Sequence, residues 1–350
     1  MKRRHLLAVG PWYPETAGNF FVEAFERLGW NVVRCGPTYF DHGHEHGVKW
    51  DEDRLPIVDI PLMRNASWYI DDYITQATKL QGVAPDLVWI CEEDYHNEIF
   101  NTKKIPSVLW SCDGWQNSFD RIMAIKPTAA FTNHPFGVIP QRQAKTPEGW
   151  QFMPAAAAPW IHKNRFVPHH TREIDFILLA TPYGYRPQIC EALTQAGLHV
   201  ASGLEGTKQY VELSQWSSLT YHNANTQEEV KFRFFEAAAM GVVNIADYTR
   251  LYAWLGYLPF THYIPIDLEK KPDGSRWPNV DNLIWLVKDY RSRPEVLQAI
   301  STAAWYTTMS KNTYYHRAYS IMKQLGIDPQ VTLSEIKTRS LRENGVNNAD

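Results

Sequence analysis

The stretch EEVKFRFFEAAAMGVVNIAD, Glu228–Asp247, carries the densest signal in the chain. The apolar spacing from Lys231 to Met240 predicts a helix, Gly241 ends it, and Val242–Ala246 reads as a buried strand. A helix feeding a strand across one glycine is half of a βαβ unit. Lys231 and Arg233 fall at the helix start, where the macrodipole disfavours cations. A helix decorated with surface salt bridges does not account for that placement, whereas a bound anion does. Glu236 follows about one turn later, where a carboxylate beside phosphate-binding groups is suited to accept two ribose hydroxyls.

The same alternation extends outward on both sides. Upstream, Ile174–Ala180 is a strand, Arg186–Ala196 a helix, His199–Ser202 a strand, Gly206–Leu213 a helix and Leu219–Asn223 a strand. Downstream lie a strand at Tyr263–Ile266 and helices at Val280–Tyr290, Glu295–Tyr306 and Asn312–Leu325. The last of these is read as able to return toward the first half of the chain. From about Leu341 the sequence is polar and expected to fray. The loop TPYGYRP, 181–187, leads into a helix with Arg186 near its N-terminus, so dipole and guanidinium together would clamp a diphosphate. Tyr183 and Gly184 belong to that loop.

The first half repeats the pattern. Strands are predicted at His5–Gly10, Asn31–Cys35, Asp86–Cys91, Ser107–Ser111 and Ala129–Thr132, with helices at Gly18–Leu28 and Ser67–Leu80. Short apolar runs bounded by turns are what strands buried on both faces of a parallel sheet look like. Between the halves, 142–170 carries Pro147, Pro154, Pro159 and Pro168 and reads as a crossover. The fold class is therefore α/β, two Rossmann-like doubly wound domains facing across a cleft. We place a first domain at 1–155, a linker at 156–172, a second domain at 173–325 and a tail at 326–350.

Composition narrows the function classes. The chain has 350 residues, 44% hydrophobic and 21% charged, which suits two globular domains. A net charge of −3 argues against an electrostatically driven nucleic-acid binder. No apolar run approaches a membrane span, and Leu6–Val9 is too short for a signal-peptide core, so a cytoplasmic protein is expected. Cys35, Cys91, Cys112 and Cys190 are widely spaced, which fits reduced thiols. The 14 Trp, 18 Tyr and 15 Phe could stack on sugars or bases, or fill the core.

In open α/β sheets, ligands bind beyond the carboxyl ends of strands. The first such loop, Gly10–Asn19, is not G-x-G-x-x-G, and no Walker motif occurs anywhere. Gly18 fits two roles there, an anion-accepting turn or a turn and nothing more. Glu92, Glu93 and Asp94 follow one strand and Asp113 another; a general base needs such a carboxylate, and Asp113, flanked by Gly114 and Trp115, is the preferred candidate. The HGHEH run (His42, His44, His46) invites a metal reading, but its glycines and acidic neighbours favour a solvated loop, and no metal is expected.

With these motifs together, the sequence resembles glycosyltransferases of the two-Rossmann-domain GT-B fold (the glycosyl transferases group 1 type), especially the compact group related to the spore-maturation protein CgeB. Arg233 to Gly241 is similar to that family's R-x-x-E-A-x-A-x-G hallmark. Arg186 resembles its early Arg, Asn312–Ala318 its closing H-T-Y-x-x-R-A with Asn312 replacing His, and Met153–His162 its L-P-x-A-x-x-P-x-x-H segment, with Ala158 where Asp is usual. The resemblance covers roughly 85–325 and is looser over the first half. It implies metal-independent hexosyl or pentosyl transfer from a nucleotide-diphosphate sugar, most readily a UDP-sugar, with no further cofactor. Glu236 would bind the ribose, Arg233, Lys231 and Arg186 the diphosphate, with Tyr183, Gly184 and Gly18 also on the donor side. Glu228 stands in Glu-x7-Glu spacing with Glu236, as in many retaining members, or is an acidic residue before a helix; stereochemistry stays open. The acceptor hydroxyl could belong to a polysaccharide, a protein, a small metabolite or a hydroxylated DNA base. The alternatives are a two-lobed nucleotide- or sugar-binding protein without turnover and a UDP-sugar epimerase.

Overall fold

The computed structural model describes residues 3–10, 12, 16–36, 57–61, 70–91, 104–111, 127–133, 150–180, 184–203, 206–222, 230–272 and 274–346. They divide into two compact units. The first comprises described residues up to Pro154 together with Arg317–Gln330; the second comprises Ala155–His316 and the residues from Val331 onward.

In the first unit the strands are β1 (His5–Val9), β2 (Asn31–Gly36), β3 (Ile60–Pro61), β4 (Leu87–Cys91), β5 (Ser107–Ser111), β6 (Ala129–Thr132) and β7 (Trp150–Phe152). Among the described residues they form one parallel sheet, in the order β3-β2-β1-β4-β5-β6-β7. β1, β4, β5 and β6 are buried at every position, which is why each carries an apolar run, with polar residues only at the ends. One face packs Leu7, Val9, Val88 and Ile90 against Ile70, Tyr73, Ile74 and Ala77 of α2 (Ile70–Gln81). The other receives α1 (Ala17–Arg27), capped by the Thr16 hydroxyl accepting from the Asn19 N–H, with the Phe21 ring 4.7 Å from Trp89 and 5.2 Å from Trp110. Gly18 permits that packing. A Cβ there would lie 2.3 Å from Cys91 Sγ and 3.2 Å from Cys91 Cβ, so only glycine lets the start of α1 approach the end of β4.

The second unit contains β8 (Ile174–Leu179), α3 (Arg186–Gln195), β9 (Val200–Gly203), α4 (Thr207–Gln215), β10 (Ser217–His222), α5 (Phe232–Ala239), β11 (Val243–Ala246), α6 (Arg250–Trp254) and β12 (Ile264–Pro265). These strands form a parallel sheet in the order β12-β11-β10-β8-β9. Counted within the unit this is 2-1-3-4-5, so the winding reverses between β8 and β10. An antiparallel hairpin, β13 (Leu268–Lys270) with β14 (Arg276–Pro278), precedes α7 (Val280–Arg291) and α8 (Pro294–Lys311). Phe176, Leu219, Val243 and Ile245 pack with Leu283, Val287, Leu297 and Ile300 in one apolar core. Arg291 ties this core's edge together. Its Nε donates to Asp175 Oδ1 at 2.6 Å, Nη1 to Ser218 Oγ at 2.7 Å, and Nη2 to the Arg172 carbonyl at 3.0 Å.

α9 (Tyr314–Gln324) contributes its residues from Arg317 to the first unit, and the chain returns to the second in α10 (Leu333–Glu343). The fraying expected from Leu341 does not occur through residue 346. Thr332 and Glu335 close a capping box, and Asn344 is fully buried. Its amide donates to the His162 carbonyl at 2.6 Å, while its oxygen accepts from Trp305 Nε1 at 2.7 Å and the Asn164 N–H at 3.1 Å. Residues 156–172 likewise pack into the second unit, where Ala156, Ala157 and Ala158 are buried and Ala157 exchanges backbone hydrogen bonds with Asn312 and Tyr314. No helix among the described residues is long and apolar enough to cross a membrane.

Candidate functional site

At the reversal between β8 and β10 the second unit opens into a cavity of about 270 Å³. Its floor is Ile177–Leu179 of β8 with Ala180 just beyond, and Thr220–His222 of β10, the carboxyl ends of both strands. Its walls are Arg186 of α3, Tyr210 of α4, Lys231–Arg233 at the start of α5 and Trp277 of β14. Two helices therefore begin here. Lys231 occupies the N-cap position of α5, and its ammonium offers no acceptor to the first N–H groups. Arg186 opens α3 behind Tyr185, whose side chain makes no cap. Two helix N-termini and three cationic side chains thus meet at one rim, an arrangement suited to an anion of two or more charges.

Arg233 is the most constrained of the three. Its guanidinium lies 4.2 Å over the Tyr210 ring, and Nη1 donates to Glu236 Oε2 at 2.9 Å. Glu236 does not line the cavity; its side chain is 4% exposed against 26% for Arg233. On its other oxygen, Glu236 faces His162 Nε2 at 3.4 Å. His162 Nδ1 accepts the Ala158 N–H at 3.1 Å, so the ring proton sits on Nε2 and points at the carboxylate. Burial pushes the Glu236 carboxyl up, opposed by the charge and hydrogen bond of Arg233 and by the Tyr210 hydroxyl. The Tyr210 hydroxyl is raised too, first by burial and then by Glu236. The four side chains form a short relay, His162–Glu236–Arg233–Tyr210, behind the cavity rim.

His222 ends β10 and faces the same space. It is half-buried, and among the described residues its Nε2 has no hydrogen-bond partner. Burial, then the Arg186 and Arg233 charges, lower its pKa to about 3, so the imidazole is neutral at pH 7.

The residues expected from the sequence thus fall in four places. Arg186, Lys231 and Arg233 converge on the cavity, and Glu236 stands behind Arg233. Gly184 turns the chain into α3 with φ +61°, and a Cβ there would meet the Trp277 ring at 2.8 Å, so glycine is required on both counts. Gly18 belongs to the first unit, where it seats α1 on β4. Tyr183, Asp113 and Glu228, together with Glu92–Asp94 and the HGHEH run, lie outside the described residues. Sequence reasoning missed Tyr210, His222 and Trp277, and it had His162 only as part of a motif. His222 could have been found next to the carboxyl end of the predicted strand Leu219–Asn223; Tyr210 and Trp277 come from elements whose neighbours only the sheet order reveals.

No protein-family model matches the chain, and no curated protein does. Solved structures match at high coverage and low identity. An α-glucosyltransferase in complex with UDP-glucose and DNA containing an abasic site superposes with TM-score 0.59 at 8% identity, over 93% of this chain and 99% of that one. A glycosyltransferase from Rickettsia africae gives 0.55 at 12% identity, over 98% and 100%. HepE from Anabaena, in complex with UDP-glucose, gives 0.54 at 11% identity, over 92% and 99%. The chain has the fold of these structures: α/β, with two parallel sheets in separate halves, the GT-B architecture.

Proposed function

We propose that the protein is a glycosyltransferase using a nucleotide-diphosphate sugar, UDP-sugars first, and that it is of the CgeB-like kind its motifs resemble. The observation that carries this reading is the convergence of Arg186, Lys231 and Arg233 with two helix N-termini on one cavity at the strand reversal. A diphosphate leaving group gains negative charge as the bond from its oxygen to the anomeric carbon breaks. Fixed cations and N–H dipoles stabilise that charge without reorganising. Glu236 holds Arg233 toward the diphosphate, and its remaining acceptor position is the proposed contact for ribose. Trp277 offers an apolar wall for the nucleoside.

The acceptor oxygen forms the new bond to the anomeric carbon as the diphosphate departs. Its proton goes to Asp113 in an inverting reaction, or to the leaving phosphate in a retaining one, where Glu228 would take part. The α-glucosyltransferase of similar fold is complexed with DNA, yet the net charge of −3 gives a DNA acceptor no support here. Calorimetry against a panel of nucleotide-diphosphate sugars, followed by mass spectrometry of products with carbohydrate, protein and hydroxylated-base acceptors, tests the proposal. Binding without turnover would make the protein a receptor, and donor conversion without an acceptor would make it an epimerase.

A further inference from the structure

His222 is unexplained by packing. It closes a central strand, lines the cavity beside Arg186, Lys231 and Arg233, and leaves a buried ring nitrogen without a hydrogen-bond partner among the described residues. A buried polar atom left unmet costs stability, and at the mouth of a cavity the economical explanation is a ligand atom that meets it. We propose that His222 contacts the anion bound in this cavity and takes up a proton when that anion binds, so that occupancy and protonation are coupled.

The charges facing His222 decide the sign. Arg186 faces it from α3, Lys231 and Arg233 from α5, and the neutral hydroxyl of Tyr210 from α4. From β8 come Ile177, Leu178 and Leu179, with Ala180 just beyond, all uncharged. From β11, Ala246 is its register partner, and Asp247 beyond it acts on Tyr252 and Tyr263. Empty, the cavity keeps the imidazole neutral by burying it and, beyond that, by surrounding it with positive charge. An anion between the guanidinium groups cancels that repulsion and offers an oxygen to a protonated ring. Linkage then requires the converse, that lowering the pH tightens anion binding. Among the described groups around the rim, only His222 can change charge as the anion binds, since arginine and lysine stay charged and tyrosine neutral.

This inference rests on the donor reading only for the identity of the anion, and the test separates the two. Inorganic sulfate does not titrate between pH 5 and 8 and probes the anion alone; UDP-glucose, whose phosphates are likewise fully ionised, probes the donor. Histidine Cε1–H signals of the full chain, with His222 assigned through its own backbone, are followed against pH with and without each ligand. The expected result is that sulfate raises the His222 pKa from about 3 to about 6. Sulfate affinity is expected to rise roughly tenfold from pH 7 to pH 5 in the wild type and less than about twofold in His222→Gln. An unmoved His222 pKa at saturating sulfate, or an equal pH dependence in the variant, overturns the proposal; so does an absence of sulfate binding. A sulfate-induced shift with no UDP-glucose binding leaves the coupling intact and removes the donor reading. Should His222→Gln fail to fold, the wild-type pKa with and without sulfate decides by itself.

Discussion

Arg233 does not reach its cavity unaided: Glu236, three residues on and almost wholly buried, holds Nη1 at 2.9 Å while the guanidinium rests on the Tyr210 ring. The pair sits at i,i+3 on α5, so one helical turn contains both the exposed cation and its buried anchor.

Glu236→Ala removes that anchor and the proposed ribose contact together. Donor binding should weaken by about 1–3 kcal/mol, the scale of a charge-assisted hydrogen bond. Glu236→Gln, which keeps an acceptor for Arg233, should lose less. Calorimetry with UDP-glucose measures both, and wild-type affinity in the alanine variant would contradict the role.

Asp113 follows β5 by two residues, and β5 ends at Ser111, at the carboxyl edge of the first sheet. Asp113→Asn keeps size and hydrogen bonding but removes the base. Turnover should fall by about 10²–10⁴ with donor affinity preserved. Near-normal turnover would place the base elsewhere or favour a retaining route.

His169 is 1% exposed, and burial, with Arg172 and Arg291 close by, lowers its pKa to about 3. The unfolded chain binds a proton at this residue near pH 6.5, whereas the folded chain refuses it down to about 3. Stability from this group is thus complete above about pH 6.5 and is lost as the pH falls, at up to about 1.4 kcal/mol per pH unit. Urea unfolding from pH 7 to pH 4.5 should show at least that slope, since His222 adds to it, and His169→Leu should lower it by the His169 share. An unchanged slope in the variant would assign the acid sensitivity to other groups.

Gly18→Ala forces a methyl group to within 2.3 Å of Cys91 Sγ. The expected cost is about 1–3 kcal/mol, as for other overpacked sites. Cys91→Ala removes the sulfur but leaves a Cβ at 3.2 Å, so the double variant should recover part of the loss, not all. Additive losses in the two variants would show that α1 shifts to relieve the contact.

The central strands were legible because burial on both faces writes a continuous apolar run, as in LVWIC of β4 and FILL, 176–179, of β8. The two-residue β3 and β12 differ in this respect: β12 falls in the expected Tyr263–Ile266 run, whereas β3 and the three-residue β7 are too short to show a period, and the β13–β14 hairpin is written in charged and proline residues. α10 escaped notice because it buries little besides Ile336 and Ser340 on an otherwise polar helix. In the site, Lys231, Arg233 and Glu236 could be read from one contiguous stretch, and Arg186 from the loop 181–187. Tyr210, His222 and Trp277 lie on α4, β10 and β14, and their meeting depends on a strand order that no local pattern encodes.

The seating of Asn344 against His162 and Trp305, with the return of Arg317–Gln330 to the first unit, has a consequence for synthesis on the ribosome. Neither unit is contiguous: the first lacks its 317–330 segment until nearly the whole of the second has been translated, and the second lacks its closing amide until residue 344 emerges. Vectorial folding can therefore lay down each sheet in turn but can finish neither. Both are completed only once residues 317–344 have been made, and a ribosome stalled after His316 would carry two sheets, each missing a piece that lies further along the message.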